Sequence, residues 1–203
     1  MFAHGSGSSR HSPRNKYVAE VLQRSNLGTL LFDLLTADEE AVDLQTRHLR
    51  FDIRLLADRL AAGVKWLKGG DETGQLKIGL FGSSTGAAAA LVAAAELGDA
   101  VGAVVSRGGR PDLAGKHLER VEAPVLMVVG GADKAVIGLN ELAFEQMSCE
   151  REIKIVPGAT HLFEEPGMLE EVARLSSNWF TKYLSGDMPE KEQKMKEMNR
   201  KRI

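Results

Sequence analysis

The segment KIGLFGSSTGAAAALVAAAEL, residues 77–97, carries the strongest structural signal in the chain. Its apolar start predicts a buried parallel strand and its alanine-rich end predicts a helix. Between them stands G-x-S-x-G, with Ser84 at the centre. A serine in a sharp strand-to-helix turn projects its hydroxyl above the sheet, and the close backbone there requires glycine two residues to either side. The stretch therefore predicts a nucleophile elbow at Ser84, whereas Ser83 lacks glycines at that spacing.

Apolar runs alternate with helical patterns along the rest of the chain. This alternation predicts an α/β fold, a mostly parallel sheet of about six strands with helices on both faces. The predicted strands include 28–35, 77–81, 100–105, 125–129 and 153–156, and the predicted helices are 52–67, 85–97, 113–121, 139–147 and 169–184. Glycine-rich or polar turns follow the strands, at the edge of a parallel sheet where ligands bind.

Length and composition are those of an ordinary globular protein. The 203 residues suit one domain at 1–186, followed by a charged tail at 187–203 that is expected to be a frayed or loosely docked helix. A formal net charge of −2 gives no positive field for nucleic acid or an anionic membrane. The longest apolar run, 87–95, is too short to span a bilayer.

Cysteine usage and the amino terminus favour the cytoplasm. Cys149 is the only cysteine, so the chain has no intrachain disulfide. The residues after Met1 lack the basic head and apolar run of a secretory signal. We therefore expect a cytoplasmic protein.

Ser84 needs a base and an orienting acid, which follow the serine as acid and then histidine in this type of fold. Asp133 stands in a Gly-Gly-Ala-Asp turn after one predicted strand, and His161 stands in a Gly-Ala-Thr-His turn after the next. Alone, each is more often a structural residue. Because both follow strands in the required order, we predict a catalytic triad of Ser84, Asp133 and His161.

Two backbone amides are predicted to bind the oxyanion that forms during acyl transfer. Thr85 begins the helix after the elbow, where unpaired amides and the positive helix end favour negative charge. The second donor is expected in the loop after an earlier strand, where the sequence is His-Gly-Ser-Gly at 4–7. The amide of Ser6 is the predicted second donor.

Three segments in register resemble the dienelactone hydrolase-like branch of the α/β-hydrolases. They are residues 2–10 (FAHGSGSSR), the Ser84 elbow and residues 106–111 (SRGGRP). The resemblance covers residues 2 to about 184 and is closest to serine hydrolases that are sometimes fused to phosphoribosyltransferases. It implies an α/β-hydrolase fold. Dienelactone hydrolases proper use a cysteine nucleophile, whereas this chain has Ser84, which favours ordinary ester hydrolysis over lactone chemistry.

The family normally has two strands before the loop that here starts at His4, and the sequence has no residues for them. By the family strand order, segment 28–35 becomes an exposed apolar edge, and such edges invite pairing with another chain. We therefore expect a homodimer, or other association, through this edge or the tail.

Between residues 105 and 124 there is no room for a lid domain, so an open cleft and short-chain esters are expected.

Arginines in loops at the predicted active edge are candidate substrate-binding residues, since guanidinium groups bind carboxylates and phosphates. They are Arg10, Arg107 and Arg110, with Arg14 beside them. The alternative is structural pairing with nearby acids, and it is favoured because loop arginines commonly serve structure. Those acids are Asp33, Asp112 and Glu164.

Together these features predict a serine carboxylesterase that cleaves small esters through an acyl-enzyme, without a metal or organic cofactor. Two alternatives stay open. A nucleotide-binding oxidoreductase is suggested by the glycines at 5 and 7 and by Asp33, but Arg10 stands where the third glycine of that fingerprint belongs. The other alternative is an inactive binding protein with the same fold.

Overall fold

A five-stranded parallel sheet forms the centre of residues 1–185, which are the residues that this computed structural model describes. The strands lie in sequence order across the sheet. They are β1 (Phe2–Ala3), β2 (Ile78–Ser83), β3 (Val101–Arg107), β4 (Val125–Gly130) and β5 (Arg151–Val156). The predicted tail, 187–203, lies outside the described residues. The α/β class and the parallel sheet are confirmed.

Helices cover both faces of the sheet, as predicted. They are α1 (Pro13–Arg24), α2 (Ala37–Thr46), α3 (Ile53–Lys68), α4 (Thr85–Leu97), α5 (Lys134–Gln146) and α6 (Met168–Leu184). One apolar core joins α3, α4 and α5 to one face of the sheet. A second core joins α1 and α6 to the other face. No helix in this part of the chain combines the length and apolar character needed to cross a bilayer.

The parallel register brings the carboxyl ends of the strands to one edge. Ala3 pairs with Gly82, Ser83 pairs with Arg107, and Arg107 pairs with Val128. Every loop that carries a predicted site residue leaves the sheet at this edge. The long alanine run of α4 is almost wholly buried, because small side chains let this helix lie close to the strands.

The predicted strand 28–35 is wrong, which leaves five strands where about six were expected. Only Leu31 forms a bridge, to Phe2, and the Phe2 amide donates to Leu30 O at 2.9 Å. The neighbouring strand β1 is two residues long and offers no further backbone partners. The Leu34 amide instead donates to Nε2 of His4 at 3.1 Å. The edge on which the dimer prediction rests is thus a single bridge, and dimerisation stays a prediction.

Two predicted helices also differ. Segment 113–121 belongs to a 3₁₀ segment, Pro111–Arg120, that Gly115 interrupts at φ 53°. Helix α5 begins at Lys134, five residues before the predicted start, because it follows directly from the turn that holds Asp133. Between β3 and β4 the described chain has this 3₁₀ segment and no lid domain.

Gly86 allows α4 to lie against β1. A Cβ atom at this position would stand 2.4 Å from Ala3 O and 2.5 Å from His4 O, both rigid backbone atoms. We expect Gly86→Ala to lower the free energy of unfolding by about 3 kcal/mol, because the helix must shift away from the strand. Denaturant unfolding monitored by circular dichroism measures this change.

Gly138, inside α5, provides the matched control. No atom lies within 4 Å of the position that its Cβ would take. Gly138→Ala is expected to raise the free energy of unfolding by roughly 0.5 to 1 kcal/mol, because alanine loses less backbone entropy than glycine in a helix. Equal effects of the two substitutions would contradict the close approach at Gly86.

Candidate active site

The Ser84 turn has the strained backbone of a nucleophile elbow. Ser84 lies at φ 51° and ψ −121°, in a region that residues with side chains rarely occupy. A Cβ atom at Gly82 would stand 2.4 Å from the Cα of Ala87, so the helix returns directly over the strand. The strain and the two glycines are what the G-x-S-x-G spacing predicted.

The segment 107–110 holds the elbow from the β3 side. The Ser84 amide donates to Arg107 O at 3.3 Å, and the Arg110 amide donates to Ser84 O at 3.1 Å. Fully buried Asn140 fixes this segment, since its Nδ2 donates to Gly109 O at 3.0 Å. The sequence does not predict this role for Asn140, because a lone asparagine in a helical pattern carries no recognisable signal.

Asp133 and His161 are brought together as predicted. Asp133 Oδ2 lies 2.7 Å from His161 Nδ1, and the side chains are 17% and 38% exposed. A backbone hydrogen bond of 2.9 Å from the Ala132 amide to Ala159 O ties the two loops together. Asp133 precedes α5 but its side chain does not cap the helix. His161 is thus the one hydrogen-bond partner of this carboxylate among residues 1–185.

The Asp133 contact sets the state of the imidazole. A carboxylate accepts hydrogen bonds, so Nδ1 of His161 carries the proton and donates it toward Asp133. In the neutral ring this leaves Nε2 with a lone pair. The imidazole is thus prepared to accept a proton at Nε2.

Gly108 separates the elbow from the histidine loop. A Cβ atom there would stand 2.9 Å from His161 O and 3.6 Å from His161 Cε1, and the preceding residue accepts the Ser84 amide. The histidine loop thus lies within one residue of the elbow's backbone contact. Among the hydrogen bonds of residues 1–185, His161 has the one to Asp133, and none joins it to the Ser84 hydroxyl.

The loop at 4–7 lies against the elbow, but one predicted oxyanion donor is already engaged. The Ser6 amide donates to Thr85 Oγ1 at 3.0 Å. A Cβ atom at Gly5 would stand 3.1 Å from Ser84 Cβ, so a side chain at this position would crowd the nucleophile. Thr85 begins α4, where amides lack an intrahelical acceptor. Thr85 and Ser6 stay predicted donors, and Ser6 must exchange the threonine hydroxyl for a substrate oxygen.

Two of the three candidate arginines are paired structurally, as the favoured alternative predicted. Arg10 forms an ion pair with Asp33, and Arg110 donates two hydrogen bonds of 2.8 Å to Asp112. Arg107 differs, since it is 6% exposed and has no hydrogen bond or ion pair from its guanidinium to any residue in 1–185. The neighbouring Arg14 contacts Glu164 at 2.9 Å.

The other reactive groups in residues 1–185 indicate neither a metal site nor a cysteine nucleophile. No cluster of three or more His, Cys, Asp or Glu side chains there is arranged to hold a metal ion. Burial raises the pKa of the Cys149 thiol, which disfavours the thiolate that a cysteine nucleophile needs.

Comparison with known proteins establishes the family. Residues 18–184 match the dienelactone hydrolase family. The chain belongs to this family. A crystal structure of a dienelactone hydrolase from Anabaena variabilis superposes with a TM-score of 0.89 and 61% identity, over 90% of this chain and 85% of that one. The predicted α/β-hydrolase fold is thereby confirmed.

Two further similar proteins are a structure of low sequence identity and a longer chain of high sequence identity. Est1E from Butyrivibrio proteoclasticus superposes with a TM-score of 0.73 at 18% identity, covering 89% of this chain and 86% of that one, and shows the fold alone. A putative phosphoribosyl transferase of Mycobacterium tuberculosis is 56% identical over 189 residues. That match covers 93% of this chain and 42% of the longer protein.

Proposed function

We propose that this chain is a serine carboxylesterase that cleaves small, short-chain esters through an acyl-enzyme intermediate. The observation that carries the proposal is the Asp133–His161 hydrogen bond of 2.7 Å at the sheet edge where the strained Ser84 turn also lies. The proposed triad combines a serine, a histidine with a free Nε2 and an orienting carboxylate. Family membership supports hydrolysis but leaves the nucleophile and the substrate open.

In the proposed first half-reaction, Nε2 of His161 takes the Ser84 proton while the hydroxyl oxygen attacks the ester carbonyl. The Asp133 carboxylate stabilises the imidazolium that forms, and His161 then protonates the departing alcohol. A water molecule, deprotonated by the same nitrogen, then attacks the acyl carbonyl, the bond to Ser84 breaks to release the acid, and His161 returns the proton to the Ser84 oxygen. Hydrogen bonds of this kind are often long or misaligned in ligand-free sites and tighten when substrate binds.

The oxyanion of the tetrahedral intermediate is proposed to lie between α4 and the loop at 4–7. The Thr85 amide points out of the first turn of α4, where the helix dipole favours negative charge. The Ser6 amide supplies the second hydrogen bond when it leaves Thr85 Oγ1. Each donor of this type stabilises the transition state by about 3 to 4 kcal/mol.

Small esters fit the open arrangement of the described site. The side chain of His161 is 38% exposed, and the chain between β3 and β4 forms a short 3₁₀ segment in place of a covering domain. An exposed cleft buries little of a long acyl chain, so each added methylene contributes little binding energy.

The test is hydrolysis of p-nitrophenyl esters of increasing acyl length by the full 203-residue chain. We expect a burst of one p-nitrophenolate per chain followed by slower turnover, because deacylation follows acylation. The value of kcat/KM is expected to be highest for acetate or butyrate and to fall for octanoate and longer esters. Highest activity on the longest ester would contradict the substrate class.

The two alternatives give different results in the same samples. Absence of turnover in a well-folded chain would favour the inactive binding protein. Quenching of Trp66 or Trp179 fluorescence by NADPH would favour the oxidoreductase. The spacing in residues 1–185 does not favour a nucleotide site, since α1 begins only at Pro13, six residues beyond Gly7.

A further inference from the structure

Arg107 stands on the face of the sheet that helix α1 covers. It is in register with Ser83 on the adjacent parallel strand, so both side chains stand on the same face of the sheet. Ser83 Oγ donates to Asn15 Oδ1 of α1 at 3.1 Å, which places the first turns of this helix over that face. Arg107 is 6% exposed, and we infer from this face of the sheet that its side chain lies between the end of β3 and the start of α1.

No acidic side chain among residues 1–185 forms an ion pair with Arg107. Nε of Arg107 is fully shielded from solvent and has no hydrogen-bond partner. Burial, together with repulsion from Arg14, lowers the pKa of Arg107 to about 10, so the group is still charged at neutral pH. An unpaired buried cation is strongly destabilising, and proteins normally supply a carboxylate beside it.

Two further features add positive potential at the same place. Arg14 stands in the first turn of α1, and its own Nε is shielded and without a partner. The first turn of α1 contains no acidic residue, and its amide groups form the positive end of the helix. The Glu164 carboxylate that contacts Arg14 is 62% exposed and offsets little of this charge.

We propose that Arg107 and Arg14 form a binding site for a compact oxyanion, a carboxylate or phosphate group, between the end of β3 and the first turn of α1. Guanidinium donors suit such groups because they form paired, charge-assisted hydrogen bonds. The anion is either free in solution or carried by the ester substrate. The second source rests on the proposed function, since Arg107 O accepts the Ser84 amide and the site thus adjoins the nucleophile.

The first experiment tests for a free anion. Thermal unfolding is measured during titration with sodium phosphate and compared with sodium chloride at equal ionic strength. We expect a saturable rise of the wild-type midpoint, by roughly 3 to 6 °C at ten times the dissociation constant. Arg107→Met is expected to remove the response and to melt above the wild type when phosphate is absent, because an apolar side chain replaces an unpaired charge.

The substrate arm compares mono-p-nitrophenyl succinate, which carries a carboxylate, with neutral p-nitrophenyl butyrate. If the substrate supplies the anion, wild-type kcat/KM is higher for the succinate ester by about tenfold, and Arg107→Met removes this preference while butyrate is still hydrolysed. Failure to hydrolyse either ester would refute the esterase proposal alone, because the phosphate titration does not depend on catalysis.

Two more variants keep the test decisive. Arg14→Gln is expected to weaken both responses, and it replaces Arg107→Met if that variant does not fold. Arg110→Met, in the same segment but paired with Asp112, is expected to keep the wild-type phosphate response. A wild-type midpoint that follows ionic strength alone, together with equal kcat/KM for the two esters, would overturn the site.

Discussion

Replacing Ser84 with alanine is expected to lower kcat for p-nitrophenyl butyrate by roughly 10⁵- to 10⁶-fold, to the level left by binding and oxyanion stabilisation. The substitution removes the hydroxyl that forms the acyl-enzyme. It leaves the backbone contacts of the elbow, from the Ser84 amide to Arg107 O and from the Arg110 amide to Ser84 O, available to hold the turn. Steady-state kinetics, corrected for spontaneous hydrolysis in samples without enzyme, measure the decrease in kcat. Circular dichroism checks that the variant is folded.

Ser83→Ala is the control for this substitution. Ser83 is the adjacent serine, but its hydroxyl is buried and bonded to Asn15, away from the proposed reaction. We expect this variant to keep kcat within a few-fold of the wild type and to lose about 1 kcal/mol of stability with the hydrogen bond. Loss of turnover in Ser83→Ala but not in Ser84→Ala would place the nucleophile one residue earlier.

Replacing Asp133 with asparagine is expected to lower kcat by roughly 10⁴-fold at neutral pH. An asparagine amide presents an N–H group to Nδ1 of His161, which then accepts rather than donates. The imidazole consequently carries its proton on Nε2, where the lone pair is needed. The decrease should appear in kcat more than in KM, because the group acts on the transition state.

Asp112→Asn is the control for the Asp133 substitution. Asp112 lies on the 3₁₀ segment after β3 and accepts two hydrogen bonds from Arg110. Its loss weakens a partly exposed ion pair, so kcat is expected to stay close to the wild-type value. Equal losses for the two variants would show that the Asp133 effect is general rather than specific to the histidine.

The sequence was sufficient to predict the turn at Ser84 and the loops that hold Asp133 and His161. Ser84 was identifiable because strand, turn and helix patterns surround two glycines at fixed spacing. Asp133 and His161 were identifiable because each stands in a glycine-containing turn after a predicted strand, and parallel strands end at the same edge. These inferences depend on local pattern and chain order, both of which can be read without coordinates.

Contacts between segments that are far apart in the chain could not be predicted from the sequence pattern. The strand expected at 28–35 depends on the length of β1, and its Leu34 amide is bonded by the His4 ring instead. The Ser6 amide is engaged by the Thr85 hydroxyl, 79 residues away. Periodicity carries no information about such side-chain hydrogen bonds. It likewise could not separate unpaired Arg107 from paired Arg10 and Arg110.

The most direct test of the esterase proposal is to locate the covalent adduct of a fluorophosphonate probe by mass spectrometry of proteolytic peptides. The probe phosphonylates an activated serine without regard to the physiological substrate. We expect one adduct per wild-type chain, on Ser84, with labelling strongly reduced in Asp133→Asn. A folded wild-type chain that takes no label, or that is labelled on another residue, would contradict the proposed triad.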